Sequence, residues 1–225
     1  MSGARDQILG ALRRGLRRGP LDAAATARLE ERLGEHRRGP IPARAAALDP
    51  VARRALFEAM AIEADATVVH VASAAEVPAA VADYLAGENL PARLVMAPDP
   101  ALDTIPWHER PLLETRRGRA EAADAVSLTP CFAAVAETGT LMLVSGAETP
   151  TTLNFLPDTH IVVVEAKQVV ATYEDGWDRL RAAAAGLPRT VNFVTGPSRT
   201  GDIEQRLQLG AHGPRRLHIV IVDDA

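Results

Sequence analysis

His160-Ile161-Val162-Val163-Val164 is a near-continuous apolar run. A strand that is apolar at successive positions, instead of every second one, belongs to a sheet covered on both faces. Outward from this run, short β-branched stretches alternate with helical periodicity. Residues 125–128, 140–144 and 161–165 read as strands, 174–185 as a helix, 191–195 as a strand, 202–209 as a helix and 217–222 as a closing strand. Towards the amino end, 67–71 reads as a strand, and Ser73 with Glu76 three residues on is a capping box that opens a helix through Tyr84. Residues 94–96 follow as a strand, 51–64 read as a helix, and the proline-punctuated stretch 97–120 has room for short strands. Such alternation predicts an α/β fold.

The first forty residues differ in character. Ile8, Leu9, Leu12 and Leu16 recur at helical spacing, Gly19-Pro20 stops that helix, and Ala25, Leu29 and Leu33 mark a second one whose stop is marked by Gly34 with Gly39-Pro40. A helical arm over 1–40, joined by a proline- and alanine-rich linker to an α/β domain over 41–225, is the expected organisation. The arm holds nine arginines against five acids, whereas the remainder carries a net charge of −8. Without aromatic residues, this basic arm suits docking to an acidic surface, its own body or a partner, more than nucleic acid. No stretch approaches the roughly 20 apolar residues of a membrane helix, and the arginine-broken start lacks a signal peptide's apolar centre. A cytoplasmic location without a membrane span is expected. Cys131 is the single cysteine; it cannot form an internal disulfide or supply the four thiolates of an iron–sulfur cluster. It is expected to be a buried small hydrophobe.

Three segments could carry chemistry. Val194 to Glu204, through Gly196-Pro197-Ser198-Arg199-Thr200, passes from a strand through a turn towards a predicted helix. Backbone N–H groups at a helix start form an anion site, and Ser198, Arg199 and Thr200 would add two hydroxyls and a forked cation. The alternative is that Ser198 or Thr200 only caps the helix. The second segment places Glu137 between apolar residues and Thr138-Gly139-Thr140. A buried acid there suits a general base or a carboxylate nucleophile, unless it serves by accepting backbone N–H bonds or pairing with an arginine. The third, Gly210-Ala211-His212-Gly213-Pro214, offers a histidine able to hold a carboxylate or shuttle a proton, or simply to shape a turn. The histidines show no metal-binding spacing, and the G-x-x-x-x-G-K-[ST], G-x-G-x-x-G and G-x-S-x-G signatures are absent.

Taken in order, Ala136-Glu137-Thr138-Gly139-Thr140, Leu156-Pro157 with His160, Thr195 to Thr200 with Asp202-Ile203-Glu204, and Gly210 with His212-Gly213-Pro214 resemble the LUD domain family, in particular its lactate utilization protein C branch. The resemblance covers about residues 40 to 223. It implies an α/β fold with a central, mostly parallel sheet similar to that of sugar-phosphate isomerases and CoA transferases, preceded here by an N-terminal helical hairpin. It also implies a cluster-free component of an iron–sulfur-dependent system oxidising L-lactate to pyruvate. No cofactor would reside in this chain; the clusters would sit on partner lactate utilization proteins. Glu137 and His212 become the catalytic candidates, and Thr138, Gly139, Thr140, Ser198, Arg199 and Thr200 the binding candidates for a small carboxylate. These groups are expected to converge at the carboxyl ends of the strands. Two alternatives stand beside this: an assembly factor docking its partners through the arm, and an independent isomerase- or transferase-type enzyme acting on a phosphorylated or CoA-linked substrate.

Overall fold

The computed structural model describes residues 3–17, 19–183, 186–200 and 208–223. The chain divides into two units, 1–40 and 41–225. In the first, α1 (Ala4–Gly15) and α2 (Ala23–Glu35) are amphipathic helices. Asp22 caps α2 by accepting from the Ala25 N–H at 2.6 Å. Helix α1 ends at Gly15, ahead of the expected Gly19-Pro20, and α2 ends at Glu35, within the expected stop from Gly34 to Gly39-Pro40. Arg17 at φ 50° turns the chain after α1, and His36 takes the left-handed conformation past Gly34.

The second unit begins with α3 (Pro50–Glu63), capped by Asp49, whose Oδ1 accepts from the Ala52 N–H at 2.8 Å. It continues with β1 (Thr67–Val71), α4 (Val77–Gly87), β2 (Arg93–Met96), β3 (Glu114–Arg117) and β4 (Val126–Pro130). Then come β5 (Ala133–Val135), β6 (Thr140–Val144), α5 (Thr152–Phe155), β7 (Thr159–Glu165), β8 (Val169–Val170) and α6 (Tyr173–Ala183). The remaining elements are β9 (Val191–Val194), β10 (Arg199–Thr200), β11 (Gln208–Leu209) and β12 (Arg216–Val222).

Six strands form a wholly parallel sheet in the order β1-β12-β7-β4-β2-β3. The apolar run that suggested this sheet divides by the period of two that a pleated strand imposes. Ile161 and Val163 enter one core with Val81, Leu85 and Leu128, while Val162 and Val164 enter another with Phe57, Ala61 and Leu141. Strand β12 repeats the pattern: Val220 and Val222 point one way, Leu217, Ile219 and Ile221 the other.

Four strands that the sequence suggested only in part form a second sheet, β8-β5-β6-β9, mixed in direction. β5 is Ala133-Ala134-Val135, whose alanines carry little strand propensity, and its partners supply the hydrogen bonds that make it one. Two further local expectations are corrected. Ser73 forms no capping bond; a 3₁₀ turn, Ala74–Glu76, precedes α4, and Glu76 instead accepts from the Ala72 N–H at 3.2 Å. In the segment expected as a helix over 202–209, residues 202–207 lie outside the described residues. Gln208–Leu209 is a strand that pairs antiparallel with Arg199–Thr200. Among the described residues no helix is long and apolar enough to cross a membrane.

Candidate functional site

Strands β7 and β12 both begin beneath a cavity of about 190 Å³, lined by Asn154, Phe155, His160, Phe193, Ser198 and His212 among others. His160, the second residue of β7, is fully buried. Its Nε2 lies 2.8 Å from Thr129 Oγ1 on the adjacent β4, while its Nδ1 has no partner. Burial pushes its pKa down to about 3, so the ring is neutral at pH 7. A neutral imidazole carries one N–H and one lone pair. If Thr129 donates to Nε2, the hydroxyl proton is used and Nδ1–H remains as a donor in the cavity wall.

The turn after β9 and the loop before β12 are joined by three bonds centred on Ser198. Its N–H donates to the Pro214 carbonyl at 2.8 Å, its carbonyl accepts from Gly210 N–H at 2.9 Å, and its Oγ accepts from His212 N–H at 3.3 Å. Ser198 and His212, separate in sequence, thus share the cavity with His160. Gly196 makes the turn possible. It has φ 69°, and a Cβ there would fall 1.9 Å from the Ala64 carbonyl oxygen.

The remaining candidates lie elsewhere. Glu137 is buried, and its Oε1 accepts from the Tyr173 N–H at 3.0 Å, at the start of α6. Gly139, at φ 64°, packs on α3 where a Cβ would come 2.2 Å from Ala61 N. Thr138 and Thr140 share Tyr173 Oη, each at 2.9 Å, and Thr140 Oγ1 lies 2.6 Å from Thr195 Oγ1. Thr195 lines the cavity, so this hydroxyl chain ends at its wall, whereas Glu137 is not among the lining residues. Arg199 is spoken for: Nη1 pairs with Asp65 at 2.6 Å and Nη2 donates to the Ala64 carbonyl at 2.9 Å. It ties the β10–β11 ribbon to the end of α3 and does not line the cavity. Thr200 lies half-buried in β10. Because β10 follows the turn directly, no helix start presents N–H groups at Ser198–Thr200.

The expected convergence is therefore corrected in place and membership. Ser198, His212 and the end of the Thr140 chain meet at the amino ends of β7 and β12, not the carboxyl ends. His160 and Asn154 are the residues that sequence reasoning did not select as site groups. A histidine inside a β-branched run is itself a signal, since a buried polar group requires a partner. Cys131 is buried, its thiol donates to the Ala133 carbonyl at 3.0 Å, and desolvation raises its pKa to about 12. That makes it a poor nucleophile. Among the described residues no three His, Cys, Asp or Glu side chains are grouped as a metal site.

The pattern that defines the LUD domain family matches residues 55–222. A protein of Deinococcus radiodurans named lactate utilization protein C is 36% identical over 176 residues, covering 74% of this chain and 77% of that one. The lactate utilization protein C of Geobacillus thermodenitrificans is 34% identical over 113 residues, 48% of this chain and 47% of its own. A crystal structure of a DUF162 family protein from Deinococcus radiodurans superposes with a TM-score of 0.58 at 30% identity, covering 78% of this chain and 99% of that one. Ordered motifs, parallel sheet and matched span agree: the chain belongs to the LUD domain family.

Proposed function

We propose that this chain serves L-lactate utilization as a cluster-free component, holding a small carboxylate such as lactate or pyruvate in the cavity above β7 and β12. Partner proteins bearing iron–sulfur clusters carry the electrons. The observation that carries this reading is His160, whose buried Nδ1 has no partner, in the wall of the same cavity as Ser198 and His212. A polar group kept dry and unsatisfied costs about 1–3 kcal/mol, which a ligand group can recover. The imidazole N–H, the Ser198 hydroxyl and the His212 ring would hold the carboxylate, and Phe155 and Phe193 would cover its apolar end. The relatives named for lactate utilization support the choice of ligand. Arg199, engaged by Asp65, has no part in this binding.

Growth and binding test the proposal together. Deleting the gene from its host should abolish growth on L-lactate as sole carbon source, and the intact gene should restore it. The His212→Ala/Ser198→Ala variant should bind L-lactate and pyruvate at least tenfold more weakly in calorimetry and restore growth poorly. Undiminished growth of the deletion strain, with no competing lactate oxidase, would overturn the role. Unchanged calorimetric affinity would overturn the site.

A further inference from the structure

Four hydroxyls link the cavity wall to the start of α6. Thr138 Oγ1 lies 2.7 Å from Thr140 Oγ1 and 2.9 Å from Tyr173 Oη, and Thr140 Oγ1 lies 2.9 Å from Tyr173 Oη and 2.6 Å from Thr195 Oγ1. A hydroxyl has one proton to donate and lone pairs with which to accept. Four bonds among four hydroxyls therefore use every proton, one from each group.

That count sets the direction of every bond. Thr138 donates to Tyr173 Oη. Its proton is then used, so in the bond to Thr140 it accepts and Thr140 donates. Thr140 has nothing further to give, so it accepts from both Tyr173 and Thr195 and fills its two lone pairs. The protons run one way round the ring of Thr138, Thr140 and Tyr173, and Thr195 is held as a donor into that ring. Thr140 is fully buried, where such a network is strengthened by the low local dielectric. What Thr195 Oγ1 has left for any other group is an acceptor.

Thr195 is exposed and lines the cavity, among groups of the opposite character. Ser198 Oγ accepts from the His212 N–H and keeps its own proton to donate. His160 contributes Nδ1–H in the arrangement where Thr129 donates to Nε2. The Asn154 carboxamide and the His212 ring suit either a donor or an acceptor. The donors serve a carboxylate, whereas Thr195 requires a ligand group that donates. A carboxylate with a neighbouring hydroxyl meets both demands. The carbonyl oxygen of a 2-oxo acid would set lone pairs against lone pairs at Thr195, and a site built to pair with a hydroxyl rejects the analogue that lacks it.

We propose that Thr195, oriented by the Thr138–Thr140–Tyr173 ring, makes this cavity select 2-hydroxy acids over 2-oxo acids, with Tyr173 a positioning residue that acts from outside it. The inference rests on the carboxylate reading above and adds the oxidation state of the acid that is held.

Calorimetry of the full chain with sodium L-lactate and, separately, sodium pyruvate reads the preference. L-lactate should bind about tenfold or more tightly than pyruvate. Thr195→Val removes the acceptor and should abolish the preference by weakening lactate alone, and Thr195→Ser should keep it. In Tyr173→Phe the ring retains its edge contact with Phe193, with centroids 5.2 Å apart. Without Oη, Thr138 can donate to Thr140 and Thr140 to Thr195, which releases the Thr195 proton, so the preference should shrink by about threefold or more while lactate still binds. A merely structural role would weaken both acids by the same factor. Equal affinity for the two acids in the unmodified chain, or tighter binding of pyruvate, overturns the inference and leaves the carboxylate site standing. Binding of neither acid overturns both. An undiminished preference in Thr195→Val or in Tyr173→Phe overturns the inference as well.

Discussion

Gly196 shows how tightly one residue can fix the cavity. At φ 69° with its missing Cβ facing the Ala64 carbonyl at 1.9 Å, any side chain must both adopt a disfavoured backbone and push the turn away from α3. We expect Gly196→Ala to destabilise the chain by about 2 kcal/mol or more in urea unfolding, and to move Ser198 off His212. The Thr129–His160 pair gives a finer test, because each side chain is buried and the 2.8 Å bond is the one partner found for the imidazole. Thr129→Val leaves Nε2 orphaned, at a cost of about 1–3 kcal/mol. His160→Leu removes the orphan. The double variant should therefore be less destabilised than the sum of the singles, by about 1 kcal/mol or more; strict additivity would show that the bond contributes nothing.

At the scale of elements, the start of α6 decides the role of Glu137. Thr172 Oγ1 accepts from the Asp175 N–H at 3.2 Å and Asp175 Oδ2 from the Thr172 N–H at 3.1 Å, a reciprocal cap, while Glu137 satisfies the next N–H, of Tyr173. Glutamine keeps an acceptor oxygen and alanine does not. Glu137→Ala should lose about 1 kcal/mol in thermal or urea unfolding, and Glu137→Gln about half as much or less. If Glu137→Gln folds normally but fails to support growth on L-lactate, the carboxylate acts chemically beyond its cap. The same element shows where sequence reading succeeds and where it stops. Helix α6 and strands β7 and β12 were legible because their periodicity is strong. The second sheet was not, because Ala133-Ala134-Val135 becomes a strand only through its neighbours β6 and β8. Ser198 and His212 were legible as candidates from residue type. Their meeting at the amino ends of the strands, and the diversion of Arg199 to Asp65, depend on loop paths that no local pattern encodes.

At the scale of the molecule, the two buried histidines make stability depend on pH. His160 and His218 lie on neighbouring strands β7 and β12. His218 donates to or accepts from Thr67 at 2.8 Å through Nδ1 and stacks on Tyr84 with ring centroids 3.8 Å apart. Burial lowers His160 to about 3 and His218 to about 4, from an ordinary value of 6.5. Between about pH 4 and 6.5 the unfolded chain therefore binds protons that the folded chain refuses, and stability rises with pH. The contribution is complete above 6.5 and is lost as pH falls through that value. At pH 5 each histidine costs about 2 kcal/mol relative to pH 7.5, or ~4 kcal/mol for the pair. Urea unfolding at the two pH values measures this directly. His218→Phe keeps a ring against Tyr84 while removing one titrating group, so its loss between pH 7.5 and 5 should be about half that of the unmodified chain. An equal loss in both would mean that His218 exchanges protons as freely folded as unfolded, and that water reaches the interface of β12 with α4.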